Sequence, residues 1–528
     1  MAGGNRHAGG AARTPQAWCH HIADAVRRRR GDVLARLLDP AAPDTRAVAA
    51  ACWREAAGVP RDAGAAPPDS ATAEQLAAVD ALIAQTAAAQ GVPAGWTPVL
   101  QRLIPLVSAD AATASRPTNA RSLAAAATAA QRAAQLVQAF HAVFTSLERW
   151  ALPVLYRVHG IQIAAATAAD AAAHAAGEEA ATASYREDAA RALNRAFSLC
   201  VTDRFGALAT SRKWGAYGVM SRLLRVYLAL GQLALCRAVL RSLRAPDLPA
   251  LDAYPLPDQA AFHYYLGLVH FCEESEGDAM RELMWVWRRL PPVCVAHRRA
   301  VLGYLIPLRL ARGVAPTPRL LAYMTMPLSA LTAGGADGVD GTGTVPRKHA
   351  RGPADLTDTE IGAWAPQSVY APFARTLATG DVYAFRAALA QHARALMAAG
   401  AFLAMERVEL VVVRRLVALV WELRGKANRL PYAAVVLAWR VSAQLTAAAA
   451  TATTPARDVL AELLMAPAAA DAADVETALD APPSAEQLAS IECALSLLIA
   501  RGWMKGYLAH DHRMAVLSQT NAFPPLEQ

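Results

Sequence analysis

Apolar positions recur at helical spacing over most of this chain. From Thr118 to Trp150 the pattern predicts one long helix. Ala151-Leu152-Pro153 opens the next, because proline is tolerated in a first helical turn. From about residue 184 to 325, short helices follow one another with brief breaks. Gly231, Gly277 and Gly313 fall between apolar segments, at spacings of 46 and 36 residues, the range of stacked helical hairpins. Cys200, Cys236 and Cys272 are also 36 apart and read as small apolar positions of that array. Residues 331–363 are rich in Gly, Thr and Asp, contain the basic patch Arg347-Lys348-His349, and read as a structureless insertion. Helices resume at Pro366, and Gly380-Asp381 marks another hairpin with Asp381 as helix cap.

The pattern then changes. Helices are expected over Leu403–Leu423 and Pro431–Leu445, followed by an Ala-, Thr- and Pro-rich insertion to Pro483. Ser484 caps a third helix that ends at Arg501-Gly502. Two alternating segments, Met504–Leu508 and Met514–Leu517, flank a turn at His510-Asp511-His512-Arg513. Three helices followed by a β-hairpin is a winged-helix order. The first 115 residues hold Gly and Pro clusters and read as irregular and low in complexity, with short helices near Trp18–Leu38 and Ala73–Gln90. The expected fold is therefore mainly α. It consists of an irregular region over 1–115, a TPR-like solenoid of helical hairpins over 116–400, and a winged helix over 401–526 with an insertion at 446–483.

Composition narrows the class. The 528 residues are 55% hydrophobic, much of it alanine, with 18% charged and 6% aromatic. That content excludes disorder for most of the chain. The 7 cysteines form no C-x-x-C pair and read as reduced thiols, most of them in a helical core. The apolar stretch Leu410–Leu423 is cut by Arg414 and Arg415, so no segment reads as a bilayer span and no membrane partner is expected. The acid-poor N-terminus and the run Arg27–Arg30 have transit-peptide and nuclear-import flavours, but read first as a biased tail.

Catalytic motifs are absent: no phosphate-binding loop, dinucleotide fingerprint, nucleophile elbow or H-E-x-x-H. His510 and His512 flank Asp511 without further ligands nearby and read as a solvated turn. A non-enzyme without cofactor or metal is expected.

Charge is more informative. The net charge is +8, which suits an acidic partner or nucleic acid. Residues 201–320 hold 16 basic against 9 acidic residues, and 403–445 hold 7 against 3. Residues 446–500 hold 1 basic and 8 acidic, so the third helix of the winged helix has no cation before Arg501. Phosphate would be repelled there, which argues against major-groove reading. Nucleic acid would instead meet Arg414 and Arg415 on the first helix. It would also meet the loop cations Arg424, Lys426 and Arg429, and the wing residues Lys505, His510, His512 and Arg513. The alternative is an ordinary solvated face.

The C-terminus reads Lys505-Gly506-Tyr507-Leu508-Ala509-His510, then Val516-Leu517-Ser518, then Asn521-Ala522-Phe523-Pro524-Pro525-Leu526. Upstream stand Trp150-Ala151-Leu152-Pro153-Val154-Leu155-Tyr156, Lys213-Trp214-Gly215, Leu235-Cys236-Arg237, His297-Arg298-Arg299, Tyr304-Leu305-Ile306-Pro307-Leu308 and Gly400-x-Phe402-Leu403-x-x-Glu406. Together these segments resemble the PCI domain-containing protein two family, the PCI subunit of the nuclear TREX-two complex, over about residues 145–526. Ala522 departs from the family's usual proline and Gln519 from its usual lysine, and both insertions are longer than usual. The resemblance implies a scaffold subunit at nuclear pores that couples transcription to mRNA export. It implies pairing with a GANP-type PCI scaffold protein and with a very small acidic protein also found in the proteasome lid. The joined winged helices would form a basic surface for RNA or DNA, without sequence specificity. Candidate contacts for the acidic subunit are Arg237, Arg241, Arg244, Arg288, Arg289, Arg298 and Arg299, with Arg298 and Arg299 alternatively satisfying a helix face. The competing expectation is a structural PCI subunit of a signalosome-like or proteasome-lid assembly that does not contact nucleic acid.

Overall fold

The computed structural model describes residues 14–57, 72–113, 120–177, 184–204, 207–243, 248–332, 350–451 and 482–526. The chain divides into two compact units, Met1–Cys272 and Glu273–Gln528. The division falls inside the stretch that reads as one helical arm, not at 115 or 400.

In the first unit the described part of the N-terminal region is helical, against the irregular region expected over 1–115. Its helices are α1 (Pro15–Arg27), α2 (Gly31–Leu37), α3 (Pro43–Ala56), α4 (Ala73–Ala89) and α5 (Thr97–Thr113). Local signals start them. Pro15 and Pro43 occupy first turns, Thr14 accepts from the Ala17 amide, and Thr72 and Gln75 form a reciprocal capping box. Trp18, Ile22, Leu34, Trp53 and Trp96 anchor the core, with Val48, Val79, Ile83, Leu100, Leu103 and several alanines packed around them. Alanine packs as a core residue but contributes little to an amphipathic signal, so the pattern looked irregular.

α6 (Ala120–Phe144) and α7 (Leu152–Ala175) form a hairpin in which Ala126 and Ala130 pack with Ala169 and Ala172. Short side chains let the two axes approach. Toward the C-terminal end of α6, His141 and His159 are buried with their Nε2 atoms 3.0 Å apart. α8 (Tyr185–Val201), α9 (Ala216–Ala229), α10 (Leu233–Ser242) and α11 (Leu256–Cys272) complete this unit. Arg212, before α9, is a buried cation. It donates to the Phe144 and Thr145 carbonyls at 3.0 and 2.9 Å and pairs with Asp203 at 2.9 Å. Burial alone would raise the Asp203 carboxyl, but hydrogen bonds from Arg212 and Ser211 prevail and hold it down to about 2. Removing either charge would strand the other, a loss of about 3–5 kcal/mol.

The hairpin glycines are only partly as expected. Gly231 and Gly313 have φ of 69° and 74° at helix ends, but Gly277 lies in a first helical turn, and Glu274 takes the left-handed conformation there instead. Cys19, Cys52, Cys200 and Cys236 are buried thiols, whereas Cys272 is exposed.

The second unit begins with α12 (Glu276–Arg289), α13 (Val295–Ala311), α14 (Pro318–Thr325) and α15 (Leu328–Thr332). Of the insertion expected over 331–363, residues 333–349 lie outside the described residues and the remainder is structured. After Ala350, Arg351 pairs with Glu360 at 2.6 Å, Leu356 is buried, and Thr357 caps α16 (Asp358–Trp364). The patch Arg347-Lys348-His349 lies outside the described residues. α17 (Ala371–Thr379) ends at Gly380, whose φ is 72° and where a Cβ would meet the Leu416 amide nitrogen at 2.8 Å. Asp381 caps α18 (Val382–Ala398) and also accepts from Ser442 at 2.6 Å.

The remaining elements are α19 (Phe402–Leu423), β1 (Arg429–Pro431), α20 (Tyr432–Thr451), α21 (Ala485–Ala500), β2 (Gly506–Ala509) and β3 (Met514–Leu517). The strands form an antiparallel sheet in the order β1-β3-β2. This succession of helix, strand, two helices and two strands is a winged helix, with Ser484 capping α21 as expected. The insertion at 446–483 lies mostly outside the described residues. Among those described, no helix is long and apolar enough to cross a membrane.

The histidine pair makes the first unit acid-sensitive. Burial, with repulsion from Arg195, pushes His141 down to about 4, and burial beside His141 and Arg222 holds His159 well below its ordinary value. The unfolded chain binds these protons near pH 6.5. Stability is therefore full above that pH and falls as pH drops toward 4, by about 2 kcal/mol for His141 alone at pH 5. Denaturant unfolding followed by tryptophan fluorescence should show this loss, and His141→Gln should make the pH slope shallower.

Candidate nucleic-acid interface

The sheet of the winged helix sorts its residues by face. Leu430 and Ala515 are opposite one another and buried. One position along, Arg429 is opposite Val516, which is opposite Tyr507 across the next strand. Cross-strand partners share a face. Arg429 and Tyr507 therefore flank Val516 on the solvent face, with Tyr507 64% exposed and Cα atoms about 10 Å apart. Lys505 precedes Tyr507 by two residues and is also exposed.

β1 continues backward into the loop that holds Arg424 and Lys426. Gly425 and Lys426 both have positive φ, at 67° and 60°, and this tight turn follows directly on α19. The Leu517 amide donates to the Asn428 carbonyl at 2.7 Å, which pins the loop to β3. Lys426 Nζ lies 6.0 Å from the Trp421 ring centroid. Among the described residues, Arg424, Lys426, Arg429 and Lys505 form no ion pair, and nearby Glu422 pairs with Arg415 at 3.7 Å. Four exposed cations and one exposed aromatic ring thus gather at one end of the sheet. The reading from sequence left out Tyr507 as a site residue. Its signal was the alternation of Lys505 and Tyr507 with Gly506 and Leu508.

The wing turn lies at the other end. His510 Nδ1 is 2.8 Å from Glu492 Oε1, and this hydrogen bond raises its pKa. His512 and Arg513 are exposed, and the Arg513 carbonyl accepts from the Tyr432 amide at 2.9 Å. The nine expected residues do not make one patch. Arg414 is not a surface cation: it donates to the Trp503 carbonyl at 2.9 Å and to the Pro524 carbonyl, and its guanidinium lies 5.7 Å from the Phe523 ring centroid. Burial lowers its pKa. Arg415 is half-exposed and donates to the Ala378 carbonyl at 3.3 Å.

The arginines expected to hold an acidic subunit fall in both units. Arg237 and Arg241 lie on α10 in the first unit, and Arg244 lies outside the described residues. In the second unit, Arg288 and Arg289 line a groove of about 570 Å³ with Met280, Met284, Trp285 and Arg312. Arg289 stacks 4.1 Å from the Trp285 centroid, and Asp278 at the groove pairs with Arg281 at 2.6 Å. Arg298 stacks on Trp287 at 4.2 Å and donates to the Leu290 carbonyl. Arg299 donates to the Tyr323 and Met326 carbonyls. Arg298 and Arg299 thus satisfy carbonyls at helix ends, where the sequence had offered a helix face as their alternative role.

A helical array with a winged helix at its C-terminal end is the fold expected of a PCI domain. No family model matches the chain. It is 32% identical over 404 residues to Protein CSN12 homolog of Mycosarcoma maydis, 74% of each chain. It is 26% identical over 339 residues to Protein CSN12 homolog of Schizosaccharomyces pombe, 64% of this chain and 61% of that one. It is 24% identical over 340 residues to PCI domain-containing protein 2 of Danio rerio, 64% of each. The chain belongs to the family of PCI domain-containing protein 2 and the CSN12 homologues.

The two kinds of arginine should separate in experiment. Arg414→Ala should lower stability by about 2–3 kcal/mol, because two carbonyls lose charged donors, while RNA affinity stays near wild type. Arg424→Glu should do the reverse. Urea unfolding and filter binding to single-stranded RNA would check both.

Proposed function

We propose that this chain is a non-enzymatic scaffold subunit of a TREX-two-like assembly in the nucleus, at nuclear pores, and that it couples transcription to mRNA export. It pairs with a GANP-type PCI scaffold and a very small acidic protein, and its winged helix adds a basic surface for RNA or DNA. The observation that carries the nucleic-acid part is the cluster of Arg424, Lys426, Arg429, Lys505 and Tyr507 at one end of the sheet. Cations track phosphates, and an exposed tyrosine offers a stacking surface to any base. Such a surface binds without reading sequence. The groove of arginines, methionines and Trp285 on α12 suits an acidic chain with apolar anchors.

One observation favours the second reading, a structural PCI subunit of a signalosome-like or lid-like assembly. α21 stands where DNA-reading winged helices place their recognition helix, yet it has Glu486 and Glu492 and no cation.

Salt dependence separates the two. Single-stranded RNA bound through about four phosphates should show a log–log slope near −3. Arg424→Glu, Lys426→Glu and Arg429→Glu together should flatten that slope and weaken binding about tenfold or more. Tyr507→Ala should weaken it by about 1–3 kcal/mol with the slope kept. A wild-type slope near zero would remove the nucleic-acid part. Affinity purification from the source cells with mass spectrometry tests the assembly: a large PCI scaffold with a small acidic protein supports export, and signalosome or lid subunits alone support the second reading.

A further inference from the structure

The cations of the winged-helix sheet lie on one edge only. Arg424, Lys426, Arg429 and Lys505 gather at one end, beside the exposed ring of Tyr507. At the other end charge does not accumulate. There Asp511 offsets Arg513, both exposed, and His510 is held by Glu492 at 2.8 Å. A duplex presents two phosphate backbones, one on each side of every groove. Holding it takes cations on two edges, whereas a single strand has one backbone and needs one.

α21 adds to this asymmetry. Duplex-reading domains of this type place the N-terminal residues of that helix against base edges. Here the first turn has Glu486, and the outward residues Ala489, Ser490, Cys493, Ser496 and Leu497 include no cation. Gln487, whose amide is of a base-reading kind, is taken up by Arg440 at 2.6 Å. The first cation is Arg501, just past the helix end and four residues before Lys505. A duplex seated on α21 would bring phosphates to the Glu486 carboxylate and find no charge to hold them.

The features that suit a single strand are at the loop end. Lys505 and Tyr507 share a face about 7 Å apart along the chain, and Arg429 flanks Tyr507 across Val516. An exposed ring stacks a base that has left its own helix. Inside a duplex, both faces of a base are already covered by its neighbours.

We infer that the loop end of this sheet takes unpaired nucleic acid and rejects duplex, with a base on Tyr507 and the backbone along Arg424, Lys426, Arg429 and Lys505. The inference rests on the nucleic-acid reading above and narrows it to single strands, RNA and DNA alike. It also accounts for the cation-free α21, which turns a duplex away.

The test uses the full chain and a fluorescein-labelled single-stranded RNA without self-complementarity, alone or annealed to its complement. Anisotropy at one salt concentration should show the single strand binding about tenfold or more tighter than the duplex. Tyr507→Ala should weaken the single strand about tenfold and leave the duplex unchanged, and Tyr507→Trp should restore the preference. Glu486→Gln with Asp511→Asn should strengthen duplex binding about threefold and leave the single strand unchanged. These residues are exposed, so the variants should keep the native circular dichroism. Duplex binding equal to or tighter than single-strand binding would overturn the inference and leave the nucleic-acid reading standing. So would a Tyr507→Ala variant that weakens both probes alike, or single-strand binding that survives the triple reversal at Arg424, Lys426 and Arg429. Binding of neither probe would overturn the inference and the nucleic-acid reading together.

Discussion

Three residues hold the basic surface in place. β1 is only Arg429–Pro431, yet it is fastened at both ends: the Leu517 amide bonds Asn428 on one side, and the Tyr432 amide bonds Arg513 on the other. Between these ties the strand runs in register with β3. Without it, the loop cations would have no fixed relation to Lys505 and Tyr507. Pro431 is tolerated because β1 is an edge strand, where a missing N–H breaks no second ladder.

The winged helix was legible because its signals are local. The cap at Ser484, glycine after a helix end, and alternation in β3 each act within a few residues. β1 was not legible, since a three-residue strand containing proline has no periodicity to read. Nor could local pattern separate Arg414 from Arg424. The carbonyls that engage Arg414 come from positions 89 and 110 residues away in the chain. The described N-terminal helices were hidden for another reason: alanine stands on both their buried and their exposed faces, as Ala23 and Ala49 inside and Ala73 and Ala89 outside, which blurs the stripe made by Trp18, Ile22, Val79 and Ile83.

Each unit also contains polar groups that a simple apolar core would not need. Arg212 with Asp203, and His141 with His159, lie inside the first unit. They do not add much net stability, because desolvation opposes them. Their effect is to make wrong packings costly, since a shifted helix would leave a buried charge or imidazole without its partner. In the second unit Arg414 and Arg299 act in the same way through carbonyls at chain ends and turns.

The cysteines give these units unequal chemical visibility. Cys19, Cys52, Cys200 and Cys236 are all inside the first unit, and burial pushes Cys19 to about 11 and both Cys52 and Cys200 to about 12. As thiols held protonated and away from solvent, they react with an alkylating reagent only when the helices around them part. Cys493 in the second unit and Cys272 at the end of the first are exposed and mark time zero. The chain thus contains its own clock for breathing of one unit, readable by the mass each alkylated thiol adds.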